Sequence, residues 1–121
     1  MDRISVIVPC YNEQEAIPIF YNEISKTADS LRQKAEIQIL FVNDGSKDAS
    51  LAEMKKLAEQ DSRVKYVSFS RNFGKEAAMY AGLSYADGDY VAIMDVDLQD
   101  PPSLLPEMYR IITEEPYDSV A

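Results

Sequence analysis

Apolar residues along this chain fall into two alternating rhythms: short β-branched runs, and longer stretches whose apolar residues recur three and four apart. Ile4 to Pro9 (Ile-Ser-Val-Ile-Val-Pro) reads as a buried strand stopped by its proline. Ile17, Phe20, Tyr21, Ile24, Ala28 and Leu31 then share a helical face, predicting a helix from Pro18, at a first-turn position, to about Gln33. Ile37 to Val42 is a second strand, closed by the turn formers Asn43-Asp44-Gly45-Ser46. Ser46 is expected to cap a second helix whose apolar face is Leu51, Met54, Leu57 and Ala58. Val64 to Phe69 is a third strand. After Ser70-Arg71-Asn72-Phe73-Gly74 comes a helix with Ala77, Ala78, Ala81 and Tyr85 on one side, small enough to pack closely on a sheet. Tyr90 to Met94 is almost wholly apolar, as in a strand covered on both faces, and runs straight into Asp95-Val96-Asp97. A last helix is expected after Pro101-Pro102, and a fifth strand is expected to begin at Tyr117.

Strands alternating with helices of this length predict βαβ units, hence an α/β domain with a mainly parallel sheet and helices on both faces. The 121 residues, 46% of them hydrophobic, suit one domain. No apolar run approaches the roughly 18 to 20 residues of a membrane span, and Met1-Asp2-Arg3-Ile4 leads into a strand rather than a signal sequence. With a single cysteine, these features point to cytoplasmic residence in a reducing compartment.

The formal charge of -9 disfavours nucleic acid, which is bound largely through cationic contacts to phosphate. It would repel a small phosphorylated ligand too, unless a local cation or bound metal reverses the field. The absence of histidine leaves carboxylates, amides, Lys, Tyr and backbone to do any chemistry.

Parallel α/β sheets bind ligands beyond the carboxyl ends of their strands. The chemically distinctive residues cluster at four such ends: Pro9 to Glu13, Asn43-Asp44, Arg71 to Lys75, and Asp95 to Asp100. In an extended segment Asp95, Asp97 and Gln99 would face one way, giving hard oxygen ligands suited to Mg²⁺ or Mn²⁺. A bare Asp-x-Asp is more often a solvated turn, and its place after a buried strand is what raises the metal reading. Asp44 suits either an Asx turn or a hydrogen bond to a base or ribose, and taken alone the turn is the stronger reading. Asn12 and Glu15 have capping-box spacing, which would leave Glu13 and the Tyr11 ring to face a ligand. Arg71 and Lys75, at the start of the third helix, suit either a diphosphate clamp or ordinary surface ion pairs. Cys10 reads as a small buried apolar side chain. No G-x-G-x-x-G follows the first strand and no P-loop occurs, which removes the dinucleotide-oxidoreductase and P-loop classes.

Together, Val8-Pro9-Cys10-Tyr11-Asn12-Glu13-Gln14-Glu15, Val42-Asn43-Asp44-Gly45-Ser46, Arg71-Asn72-Phe73-Gly74-Lys75 and Asp95-Val96-Asp97-Leu98-Gln99-Asp100-Pro101-Pro102 resemble the family 2 glycosyltransferases of the GT-A (Rossmann-like) fold. The likeness is to the branch that loads sugars onto polyprenyl phosphate, and it runs from Ile4 to about Met108. It implies that Pro9, Tyr11, Glu13 and Asp44 line a nucleoside pocket, that Lys75 lies near the phosphates, and that Asp95, Asp97 and Gln99 hold the metal, with Asp95 and Asp97 central to catalysis. Many relatives carry a second aspartate where this chain has Asn43, so no role for charge carries over there.

The resemblance further implies an inverting transfer from a nucleoside-diphosphate sugar, UDP-linked by preference and GDP-linked as the alternative, to a polyprenyl phosphate. It also implies that residues 1–121 are the nucleotide-sugar-binding domain of a longer protein attached to the cytoplasmic face of a membrane; self-association stays open. The alternatives are a family 2 enzyme with a polysaccharide or other soluble acceptor, a nucleotidyltransferase, and a receiver-like signalling module. A nucleotidyltransferase would want a Gly-rich basic loop at Tyr11-Asn12-Glu13, and a receiver an acidic pair after the first strand and a phosphoacceptor Asp near Arg71.

Overall fold

The computed structural model describes residues 1–97, 102 and 105–114, the side chains of 112 and 114 excepted. Four strands, β1 (Asp2–Cys10), β2 (Ala35–Asn43), β3 (Val64–Ser68) and β4 (Tyr90–Ile93), form one parallel sheet in the order β3-β2-β1-β4. The helices are α1 (Ala16–Leu31), α2 (Ser50–Gln60), α3 (Lys75–Tyr85) and α4 (Leu105–Glu114). Period-two alternation sorts each central strand into two apolar faces. Ile4, Val6 and Val8 of β1 and Ile37, Ile39 and Phe41 of β2 point into the larger core with Ile17, Phe20 and Ile24 of α1, Met54 and Leu57 of α2, and Leu105 of α4. Phe20 and Phe41 meet edge to face at 6.1 Å. Ile7, Leu40 and Val42 face the other way, onto Ala78 of α3.

The resulting architecture is the expected one, with α1, α2 and α4 on one face and α3 on the other. β1 leads to β2 and β3 in one direction across the sheet, whereas β4 lies on the opposite side of β1. The strand order therefore reverses between β1 and β4, and their carboxyl ends flank the crevice where such sheets bind ligands. Among the described residues no helix is long and apolar enough to cross a membrane.

Several local expectations are corrected. β1 runs one residue past Pro9. Met94 N donates to Ile7 O, so Ile7 and, two residues on, Pro9 turn their backbone polar groups toward β4, whose pairing ends at Ile93. The N–H that proline lacks thus falls beyond the ladder, and pairing with β2 continues to Cys10.

The capping box does not form either. α1 starts at Ala16 with no side-chain cap on Glu15, although Pro18 does lie in its first turn. α2 starts at Ser50 rather than after Ser46, and Asp48 Oδ1 accepts from Ser50 N at 2.9 Å.

Tyr85 is not on the packed face of α3. Gly82 is, and a Cβ there would collide with Ile7 Cγ2. β4 is not covered on both faces: Val91 and Ile93, beside Ser5 and Ile7 on the α3 side, are 43% and 39% exposed. α3 packs over β1 and β2, and among the described residues no helix covers β4 on that side. Gln99 and the strand expected from Tyr117 lie outside the described residues.

Candidate functional site

Three loops beyond the carboxyl ends of β1, β2 and β3 are bonded into one rim. The β1 loop turns at Asn12, a non-glycine residue at φ 53, which asparagine tolerates better than most. Its backbone N–H donates to Ser46 Oγ at 2.9 Å, and its Oδ1 accepts from Lys47 N at 2.8 Å. Asn12 and Ser46 therefore bond across loops, which is why neither caps a helix. Glu13 N donates to the buried Ser50 hydroxyl at 2.8 Å, and Ala49 N donates to Gln14 Oε1 at 2.9 Å.

The second and third loops are joined through Asp44. It is buried, 4% exposed, and directly after β2 its carboxylate accepts from Phe73 N at 2.8 Å, Gly74 N at 3.0 Å and Asn72 Nδ2 at 3.1 Å. A buried carboxylate is stable only when its charge is met in this way. Gly45 lets the loops close: at φ 69 it presses on the Arg71–Asn72 peptide, where any Cβ would collide. Asn43, buried beneath, donates to Ser68 Oγ at 3.0 Å and accepts from Ser46 N at 3.1 Å, a structural role that requires no charge.

β4 reaches the rim differently. It ends at Ile93, so Asp95 and Asp97 belong to an irregular segment and a turn rather than to a continuing strand. The expected strand alternation does not hold there: both aspartates border the same cavity, but the buried Val96 between them lines it as well. Lys75 Nζ meets Asp95 Oδ1 at 2.8 Å, tying this segment to the start of α3.

Between the rim and β4 lies a cavity of about 250 Å³, lined by Pro9, Cys10, Tyr11, Glu13, Asp44, Lys75, Asp95, Val96 and Asp97. The structure thus gathers at one place every described residue of the expected site. It does not bring Arg71 there: the guanidinium stacks on the Phe73 ring at 4.6 Å, and Phe73 packs edge-on against Phe69. Cys10 and Val96, apolar residues that sequence reasoning left out of the site, form part of the lining.

The charge bordering the cavity is mainly negative. Glu13, Asp44, Asp95 and Asp97 border the cavity against one ammonium, that of Lys75. Partial burial, then the charges of Asp97 and Asp48, raise the Glu13 carboxyl above its ordinary range. The hydrogen bond to Asp95, with the charges of Asp95 and Asp97, raises Lys75. Burial pushes the Cys10 thiol up, so it is no thiolate nucleophile.

Two carboxylates at the end of β4 are hard oxygen donors of the kind Mg²⁺ and Mn²⁺ take, and they fit such an ion. Among the described residues no three His, Cys, Asp or Glu side chains converge as a metal cage. A cation at Asp95 and Asp97 would therefore fill its shell with water, ligand oxygens or groups beyond those residues.

The chain matches the Glycosyl transferase family 2 over residues 5–121. It is 47% identical over 106 residues to the prophage bactoprenol glucosyl transferase homolog of Escherichia coli (strain K12), covering 88% of this chain and 34% of that protein. Among solved structures, it superposes on the mannosyltransferase PcManGT from Pyrobaculum calidifontis in complex with GDP-Man and Mn²⁺ with a TM-score of 0.79. The identity is 27%, covering 95% of this chain and 33% of that one. The TM-score to S. aureus TarS 1-349 in complex with UDP is 0.75 at 25% identity, covering 93% and 32%. The chain thus spans about a third of the length of the relatives it matches.

Proposed function

Because the chain belongs to the glycosyl transferase family 2, which removes the receiver-like and nucleotidyltransferase alternatives, we propose that it is the donor-binding part of a glycosyltransferase. On this reading the reaction moves a sugar from a nucleoside-diphosphate sugar to a polyprenyl phosphate at the cytoplasmic face of a membrane. The observation that carries the proposal is the cavity at the β1–β4 switch point, where, among the described residues, four carboxylates face a single lysine at the mouth of a parallel sheet. The bactoprenol glucosyl transferase homolog supports the polyprenyl carrier as acceptor, the UDP complex of TarS supports a UDP-linked donor, and the GDP-Man complex of PcManGT keeps a GDP-linked donor open.

Six of the lining residues then have a role. The half-exposed Tyr11 ring and the Pro9 backbone border the space for the nucleoside. Asp44 acts chiefly by holding the Asn72–Gly74 loop against the pocket, since three donors of that loop already occupy its carboxylate. Lys75 meets the diphosphate, and Asp95 and Asp97, with Gln99 beyond the described residues, hold a divalent ion. That ion, when bound, supplies the positive charge that stabilises the departing nucleoside diphosphate.

Phosphate monoesters have a second pKa of about 6, so a lipid phosphate is largely ionised near neutrality and needs little help from a base. Its oxygen forms a bond to the anomeric carbon as the bond to the diphosphate breaks, with inversion. A chain without histidine is compatible with this chemistry.

Calorimetry of UDP and GDP with and without Mn²⁺ tests the reading. UDP affinity is expected to depend on Mn²⁺, and Asp97→Asn to lower the Mn²⁺-dependent affinity by about tenfold or more, the scale on which even supporting groups affect metal sites. Nucleotide binding indifferent to both metal and substitution would overturn the metal role.

A further inference from the structure

Lys75 is the first residue of α3, where the helix dipole disfavours a positive charge. Its ammonium is held instead by Asp95, 2.8 Å away, with the Asp97 charge close behind. The two side chains are 62% and 33% exposed, and an exposed pair shifts an equilibrium by about fivefold at most. It is therefore a contact that a competitor can break. Lys75 is also the one cation among the described residues lining the cavity, on a flexible four-carbon stem.

We propose that Lys75 is a positioning residue that changes partner: it holds Asp95 while no divalent ion is bound, and transfers to the donor's diphosphate once one is. The inference rests on the donor-site reading above and adds to it an order of events. A carboxylate oxygen cannot serve an ammonium and a divalent cation equally well, because the two cations repel at contact distance. Occupation of Asp95 and Asp97 by a divalent ion thus releases the ammonium. Of the other carboxylates lining the cavity, Asp44 is already filled by the Asn72–Gly74 loop and Asp97 would share the divalent ion, so the oxygens of a bound diphosphate, more highly charged than Glu13, compete best for the ammonium. The ion pair would then keep the carboxylates from repelling one another in the empty site, make metal binding alone weak, and couple metal and nucleotide binding.

Two titrations of the 121-residue chain test this, with the wild type, Lys75→Met and Lys75→Arg compared in each. The first follows the electron paramagnetic resonance signal of free Mn²⁺ without nucleotide. The second measures UDP affinity by calorimetry at saturating Mn²⁺.

For Lys75→Met, Mn²⁺ alone is expected to bind about threefold to fivefold tighter, the factor carried by an exposed ion pair. UDP is expected to bind about tenfold weaker, for want of a charge-assisted contact to phosphate. Lys75→Arg should stay near the wild type in both titrations. Opposite signs in the two titrations are the signature, since a disturbed fold or a merely structural salt bridge would weaken both or neither. Mn²⁺ binding that is unchanged or weaker in Lys75→Met, or UDP binding that is unaffected, overturns the proposal. Failure of the donor-site reading itself shows earlier, as wild-type protein that binds no UDP with Mn²⁺ present.

Discussion

Gly45 and Gly74 both have positive φ, 69° and 104°, yet their surroundings separate two reasons for a glycine. Around Gly74 an added Cβ meets nothing, so alanine there costs only backbone strain, about 1–3 kcal/mol. At Gly45 the same Cβ strikes the backbone of Arg71 and Asn72, which cannot rotate away as a side chain could. Gly45→Ala is therefore expected to cost more than Gly74→Ala, by about 1–3 kcal/mol of overpacking, and to loosen the loop that Asp44 holds. Urea unfolding of the two variants measures the difference, and equal losses would contradict it. This contact joins residues 26 positions apart, and Asn43-Asp44-Gly45-Ser46 announces a turn without saying what the turn leans on. Asp44 is legible in the same limited way: its place at a strand end is plain, whereas the three donors it satisfies belong to another loop. Asn12 and Ser46 show why capping is not legible from local sequence. Each has the side chain of a good cap, but the partner within reach of each is the other's loop, and that choice depends on the fold.

Between α2 and β3 an element boundary is set by charge. Asp61 follows the last turn of α2 and accepts from the Arg63 guanidinium at 2.8 Å and from the Tyr21 hydroxyl of α1 at 2.7 Å. The bonds from Arg63, chiefly, hold its carboxyl down at about 2, against an ordinary 3.8. A depressed acid stabilises the fold above its unfolded pKa and loses that contribution as pH falls through the folded one. The side chain is only 11% exposed, so solvent screening is slight and the contribution is about 2 kcal/mol at neutral pH. Asp61→Asn is expected to lose about that much at pH 7, with the gap to wild type closing as pH drops from 3.8 toward 2. Urea midpoints measured down that range check it, and a gap independent of pH would count against the ion pair as its source. The elements themselves were readable from periodicity, because burial on one or both faces writes period 2 or 3.6 into the sequence. The openness of β4 was not. Tyr-Val-Ala-Ile looks fully buried, whereas β4 lies on the far side of β1 from β2, away from α3, and among the described residues Val91 and Ile93 are uncovered.

Over the whole molecule, 21 acidic against 12 basic residues give a field that repels nucleoside diphosphates, and the carboxylates around the cavity concentrate it at the sheet's carboxyl end. The same arrangement should attract divalent cations, yet Lys75 already engages one of the two aspartates at the end of β4. On the proposed reading, Mn²⁺ alone and UDP alone are therefore both weak ligands, and each removes the obstacle to the other. Binding at a hundredfold excess over Kd adds about 2.7 kcal/mol to stability, a rise of about 4 °C or more in Tm for a domain of this size. The two ligands together should accordingly raise Tm by more than the sum of their separate effects. Thermal unfolding with UDP, with Mn²⁺, and with both, repeated at matched ionic strength in NaCl, separates this coupling from screening. General relief of charge repulsion would be reproduced by sodium and would raise Tm without UDP, whereas a cation shared between two carboxylates and a diphosphate requires the divalent ion and the nucleotide at once. Additive shifts, or a UDP effect that survives chelation of the metal, would mean that the acidic end of the sheet binds nucleotide without the ion that Asp95 and Asp97 are proposed to hold.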